Sequence, residues 1–227
     1  MFFHPMDFLI FIAFGLSLWA QLKVKGNFEQ WSRVESMIGM TGAQVARRIL
    51  DENNLEHIPV RPVPGKLTDH YDPIAREVRL SEPVYYGTSI ASVSVAAHEV
   101  GHAIQHKEGY SALVLRHKLF PLVNFSSGAA PLLLILGFVF QWASLIGLGI
   151  LLFSVAVAFQ LITLPVEFNA SSRAKKLMLS TGILRNGEET GVNKVLGAAA
   201  LTYVAAALIS VLELTKYIMI FASSDED

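Results

Sequence analysis

The chain has 227 residues, 52% of them hydrophobic and only 16% charged, where an ordinary soluble domain carries about 25% charge; its mean hydropathy is +0.45. A net charge of -1 gives no footprint for nucleic acid or an acidic substrate, and the absence of cysteine excludes disulfides and thiolate metal ligands. The length fits one modest domain joined to membrane helices, with His, Asp and Glu as the available metal ligands.

Phe8 to Leu22 is almost wholly apolar, and no Lys or Arg precedes Lys23. A cleaved signal peptide would carry a basic start and a small-residue cleavage site. Here His4, Pro5 and Asp7 come first and Trp19-Ala20-Gln21 is a poor site. Residues 1–22 are therefore expected to form a short first transmembrane helix or a retained signal anchor. Lys23, Lys25, Arg33, Arg47 and Arg48 follow, which puts the N-terminus outside and the next segment in the cytoplasm by the positive-inside rule.

Residues 23–118 form the longest polar stretch. Met37 to Asn54 reads as a helix, with Thr41 able to cap and Val45, Ile49 and Leu50 on one apolar stripe. His57 to Leu80 carries Pro59, Pro62, Pro64, Gly65 and Pro73, which forbid long helices. Short extended segments are expected instead. Glu77-Val78-Arg79-Leu80 alternates as an edge strand would. Asp69-His70-Tyr71-Asp72-Pro73 holds metal-capable residues but reads first as a turn.

A helix is expected from Thr88 or Ser89 to about Lys107, and it contains His98-Glu99-Val100-Gly101-His102. Residues four apart on a helix share a face, so His98 and His102 can bind one metal ion together. Glu99 lies about 100° round the axis, within reach of a water on that ion. Zinc accepts nitrogen and carboxylate ligands, lowers the pKa of such a water, and lets the adjacent Glu take its proton. The pattern also arises by chance, but the Ser, Ala, Val and Gly around it mark a helix built to be buried. Buried His and Glu need partners. His106 continues the stripe, but one straight helix spreads three histidines over about 12 Å, too far for one ion. It is a candidate for the shell around the metal or for the surface.

Residues 119–165 contain no Lys, Arg, Asp or Glu, too long for one span and right for two, with Gln141-Trp142 as the hairpin. Glu167 then stands as the only formal charge between Lys118 and Arg173. A lone carboxylate at the end of an apolar span invites a functional reading; the plain alternative is a Glu that meets water at the interface. Two spans return the chain to the side it left, so Glu167 and the histidines share that side. This makes Glu167 the leading candidate for the third ligand, with His70, Asp69 and Asp72 left open. Residues 166–194 are basic and expected to be cytoplasmic, 195–221 a fourth span, and 222–227 an acidic tail outside. Glu213 and Lys216 can pair at i, i+3, or Lys216 can snorkel.

His98 to His106, Asp69 to Pro73, Val78 to Ser81, and Leu164-Pro165-Val166-Glu167-Phe168-Asn169-Ala170-Ser171 together resemble the bacterial YugP-type neutral zinc metallopeptidases of the membrane. The resemblance covers nearly the whole chain. It implies a gluzincin site, one zinc ion on His98, His102 and Glu167 with Glu99 as general base, in a mainly helical membrane protein whose 23–118 region is zincin-like, with a small β element. The family often carries Asp where this chain has Asn169, and an amide supplies no charge there. The Glu-Phe-x-Ala stretch is also similar to that of HtpX-like and CAAX-processing proteases, which place an Asp four after the ligand Glu to orient a zinc histidine. Here that position is Ser171, a weaker acceptor. Arg173 is a candidate for oxyanion stabilisation, or a topology signal.

The expected function is a membrane-embedded zinc endopeptidase of the bacterial inner membrane, acting at the cytoplasmic face on peptides or membrane proteins. Lipid surrounds it, and membrane partner proteins or a second copy are candidate partners. The substrate is expected along the strand Glu77, Val78, Arg79, Leu80 and Ser81. Against this stand a non-catalytic scaffold or quality-control adaptor with a structural metal, which would not need Glu99, and a metal-dependent hydrolase of another bond.

Overall fold

A computed structural model describes residues 4–224. The last three residues of the expected acidic tail lie outside the described residues. The protein is mainly helical with one small sheet: α1 (Pro5–Trp31), α2 (Gly42–Glu52), β1 (Val60–Val63), β2 (His70–Asp72), β3 (Glu77–Ser81), α3 (Glu82–Tyr85), α4 (Ile90–Lys107), α5 (Ser111–Val139), α6 (Ala143–Ser180) and α7 (Glu189–Ser224). Four of these, α1, α5, α6 and α7, are long and apolar enough to cross a membrane.

The chain divides into two compact units. One comprises the residues up to Trp19, Ser111–Pro165, and Leu201 onward. Its large apolar side chains, among them Phe8, Phe11, Phe125, Leu132 and Ile135, are exposed, as lipid-facing side chains are. The hairpin between α5 and α6 falls at Phe140–Trp142, where Gln141 takes a left-handed φ of 51°. Lys216 pairs with Asp7, and not with Glu213 as the i, i+3 spacing suggested. An acid on a neighbouring helix removes the need to snorkel.

The other unit comprises Ala20–Tyr110 and Val166–Ala200. Its core joins Val45, Ile49 and Leu50 of α2 and Val78 and Leu80 of β3. Val93, Ala97 and Val100 of α4, Ala174 and Met178 of α6, and Val192 of α7 complete it. Helix α2 begins at Gly42 rather than Met37. Thr41 forms a capping box with Gln44, which fixes the first turn there. Gly39 just before it has φ +65°, a conformation that ends helical geometry.

The sheet corrects two expectations. Its order is β1-β3-β2, with β1 parallel and β2 antiparallel to β3. Glu77, Val78, Arg79, Leu80 and Ser81 do form a strand, but it is the central one and offers no free edge. The polar half of its alternation is covered by ion pairs instead of water. Glu77 meets Arg61 of β1 at 3.1 Å, and Arg79 meets Asp72 of β2 at 3.2 Å. The stretch read as a turn is strand β2, with the turn just after it. There the Asp72 carboxylate accepts from Ile74 and Ala75 N–H at 2.8 and 2.9 Å, an Asx turn.

Candidate metal centre

Helix α4 starts where Ser89 Oγ accepts the Ser92 N–H at 3.2 Å, and it runs for 18 residues. His98 and His102 are therefore on one face, with ring centroids 4.8 Å apart. Across from them, α6 presents Glu167. His98 Nε2 lies 3.3 Å and His102 Nε2 3.5 Å from Glu167 Oε2, and the ligand-capable atoms of all three are within 4.8 Å of one another. Zinc bonds of about 2.0–2.1 Å at tetrahedral angles put ligand atoms roughly 3.3–3.4 Å apart. The donor set and its spacing therefore fit zinc. No other group of three or more His, Asp or Glu among the described residues is close enough to hold a metal ion.

Gly101 makes this approach of two helices feasible. A Cβ built on it would stand 2.8 Å from the Ala170 carbonyl oxygen and 3.3 Å from its Cα. Ala170 is three residues past Glu167 on α6. The glycine inside the motif thus lets the backbone of α6 close against α4, and the ligand carboxylate reaches the imidazoles.

The outer nitrogens of both rings are held. Ser171 Oγ is 3.1 Å from His98 Nδ1. Gln105 Oε1 is 3.0 Å from His102 Nδ1. With a proton on each Nδ1 donating outward, each Nε2 would keep its lone pair for a metal. Arg173 does not face the carboxylates of the cluster. It pairs with Glu108 at 2.7 Å and donates from Nε to Asn169 Oδ1 at 2.7 Å. His106 hydrogen-bonds Tyr71 at 2.8 Å, outside the cluster. Nor is the Asp69–Asp72 stretch in the ligand group. Asp69 accepts from Ser81 N–H at 2.7 Å, and His70 turns to the Thr68 carbonyl at 2.8 Å.

Glu99 is buried. Burial raises its carboxyl above the usual range, opposed by the attraction of His98 and His102. Burial likewise disfavours a charged His102, but the hydrogen bond and charge of Glu167 outweigh it and raise that ring's pKa. The carboxylate thus draws positive charge to this point, which a divalent cation supplies.

Gln105 is the residue that sequence reasoning missed, while Asn169 was singled out without a role. The one available signal was a Gln three residues past His102, on the helix face that carries the two motif histidines.

The family described as "Putative neutral zinc metallopeptidase" matches residues 6–222. "Putative membrane protease YugP" of Bacillus subtilis (strain 168) is 66% identical over 220 residues, 97% of this chain and 98% of the relative. No solved structure matches. A family match that runs from the first span to the last, over a chain whose His98, His102 and Glu167 converge, gives the assignment: the chain belongs to the neutral zinc metallopeptidases.

Proposed function

We propose that the protein is a membrane-embedded endopeptidase that hydrolyses peptide bonds at the cytoplasmic face of the bacterial inner membrane. His98, His102 and Glu167 hold one zinc ion per chain, and Glu99 is the general base. The observation that carries this is the convergence of two imidazoles and a carboxylate beside a second, buried carboxylate on the motif helix. A structural metal would leave Glu99 without a purpose.

Bound zinc would supply Lewis acidity, polarising a peptide carbonyl and acidifying a water. The rest falls to the chain. Glu99 takes the proton of the attacking water and passes it to the leaving amine nitrogen. A carboxyl raised by burial holds that proton better than an exposed one, which suits transfer near neutral pH. Ser171 and Gln105 keep the two rings in the tautomer that leaves Nε2 free. A substrate strand pairs with the outer edge of β2, since β3 is paired on both sides. β2 is the edge tied to α4, through Tyr71 and His106. Membrane proteins fit as substrates because the catalytic unit is continuous in sequence with four apolar helices.

The test uses purified protein with an unfolded protein such as casein, and Glu99→Gln. The wild type should cleave, and a chelator should stop it. Glu99→Gln should retain zinc and fold while losing about 10²–10⁴-fold in rate. Cleavage by Glu99→Gln at the wild-type rate would overturn the mechanism.

A further inference from the structure

Gln105 is fully buried, and its amide is saturated by groups from both ligand-bearing helices. Its oxygen faces His102 Nδ1 at 3.0 Å. Its Nε2 donates to the Val166 carbonyl at 2.8 Å and to Asn169 Oδ1 at 2.9 Å. Val166 immediately precedes Glu167, and Asn169 follows it by two. The one side chain that fixes the ring of His102 therefore also grips the turn of α6 that carries Glu167.

Hydrogen-bond polarity runs one way along this chain of groups. Arg173 Nε, held also by its ion pair with Glu108, donates to Asn169 Oδ1 at 2.7 Å. A guanidinium has no acceptor, so it fixes the Asn169 amide with its oxygen inward. That oxygen accepts from Gln105 Nε2, so the Gln105 amide is fixed in turn with its oxygen toward His102. An amide oxygen only accepts, so the proton of His102 sits on Nδ1 and its Nε2 faces Glu167.

We propose that Gln105 and Asn169 are positioning residues for the metal centre: an amide relay, anchored by Arg173, that sets the tautomer and orientation of His102 and locks its spacing to Glu167. The inference rests on the zinc reading above. It also gives Asn169 a purpose. The position needs an oxygen that accepts two N–H groups, which an amide provides without placing a second negative charge near Glu167.

Zinc affinity by chelator competition tests it, with the visible spectrum of the cobalt-substituted protein as a readout of ligand geometry. Gln105→Met keeps volume and removes the relay; Asn169→Ala spares the buried core; Asn169→Asp keeps the acceptor. Loss of outer partners of a metal histidine lowers metal affinity by about 10–100-fold. That loss is expected in Gln105→Met and Asn169→Ala, together with a changed cobalt spectrum. The metal-free melting temperature of Asn169→Ala should stay near the wild type's, that of Gln105→Met should fall because the buried His102 Nδ1 loses its partner, and Asn169→Asp should recover most of the affinity. If wild-type protein binds zinc and both disruptive variants match it in affinity and spectrum, the relay is overturned while the zinc reading stands. If wild-type protein takes up no zinc, both fall. Should Gln105→Met fail to fold, Asn169→Ala against Asn169→Asp decides alone.

Discussion

Each imidazole of the centre has two nitrogens with separate tasks, and Glu167 has only one. Ser171 and Gln105 occupy the outer nitrogens of His98 and His102, while Glu167 Oε2 sits within 3.5 Å of both inner ones. Removing that oxygen should cost the centre its metal. Zinc per chain in purified Glu167→Ala is expected well below the wild-type value. Glu167→Asp should retain part of it, because the carboxylate survives one methylene short. His70→Ala should bind as the wild type does, since that ring is exposed and bonded to the Thr68 carbonyl. Elemental analysis of the three variants decides: full zinc in Glu167→Ala with loss in His70→Ala would move the third ligand to the β2 strand. The histidine pair was legible because helical periodicity alone fixes its geometry. Gln105 was not legible, because a buried amide declares its role only through partners on another helix.

At the scale of elements, the centre depends on how closely α4 and α6 approach. Alanine at Gly101 would put its Cβ 2.8 Å from a backbone oxygen of α6. Backbone cannot rotate aside as a side chain can, so the helices must part. Overpacking of this kind costs about 1–3 kcal/mol, and the displaced turn is the one carrying Glu167. Gly101→Ala is expected to melt several degrees lower and to bind zinc more weakly. Gly197→Ala in α7, where nothing stands within 4 Å of an added Cβ, should be neutral or slightly stabilising. Equal behaviour of the two variants would mean that the contact at Gly101 is unimportant. Sequence signals found the elements better than their limits. Hydropathy marked a first span ending near Leu22, yet α1 continues to Trp31, because Lys, Asn, Gln and Glu are unwelcome in lipid but tolerated in a helix. The reading of β3 as an edge failed for a related reason. Alternation reports two unlike faces, and a row of ion pairs makes a polar face as readily as water does.

The whole molecule shows why an apolar segment could carry a hydrophilic site. Helix α6 has 38 residues, about 57 Å at 1.5 Å each, against roughly 30 Å of hydrocarbon. It must run out of the apolar layer, and Glu167 is the first formal charge beyond Lys118. All eighteen Lys and Arg residues except Lys216 fall within 23–118 or 173–194. An even number of crossings between α4 and Glu167 is what allows the two to meet, and the α5–α6 hairpin supplies two. The positive-inside rule predicts that both basic segments, and the centre they hold, lie in the cytoplasm. The absence of cysteine makes the test clean, since one introduced thiol is the only target. In the loop before α7, Gly187 has φ +96°, and a side chain there would be strained. Asn186, beside it and exposed, serves for the loop before α7. Ala143, at the start of α6 and exposed, serves for the opposite side. In intact cells an impermeant maleimide should label Ala143→Cys and spare Asn186→Cys until the membrane is opened. Labelling of Asn186→Cys in intact cells would invert the orientation, turn the centre outward, and exclude cytoplasmic substrates.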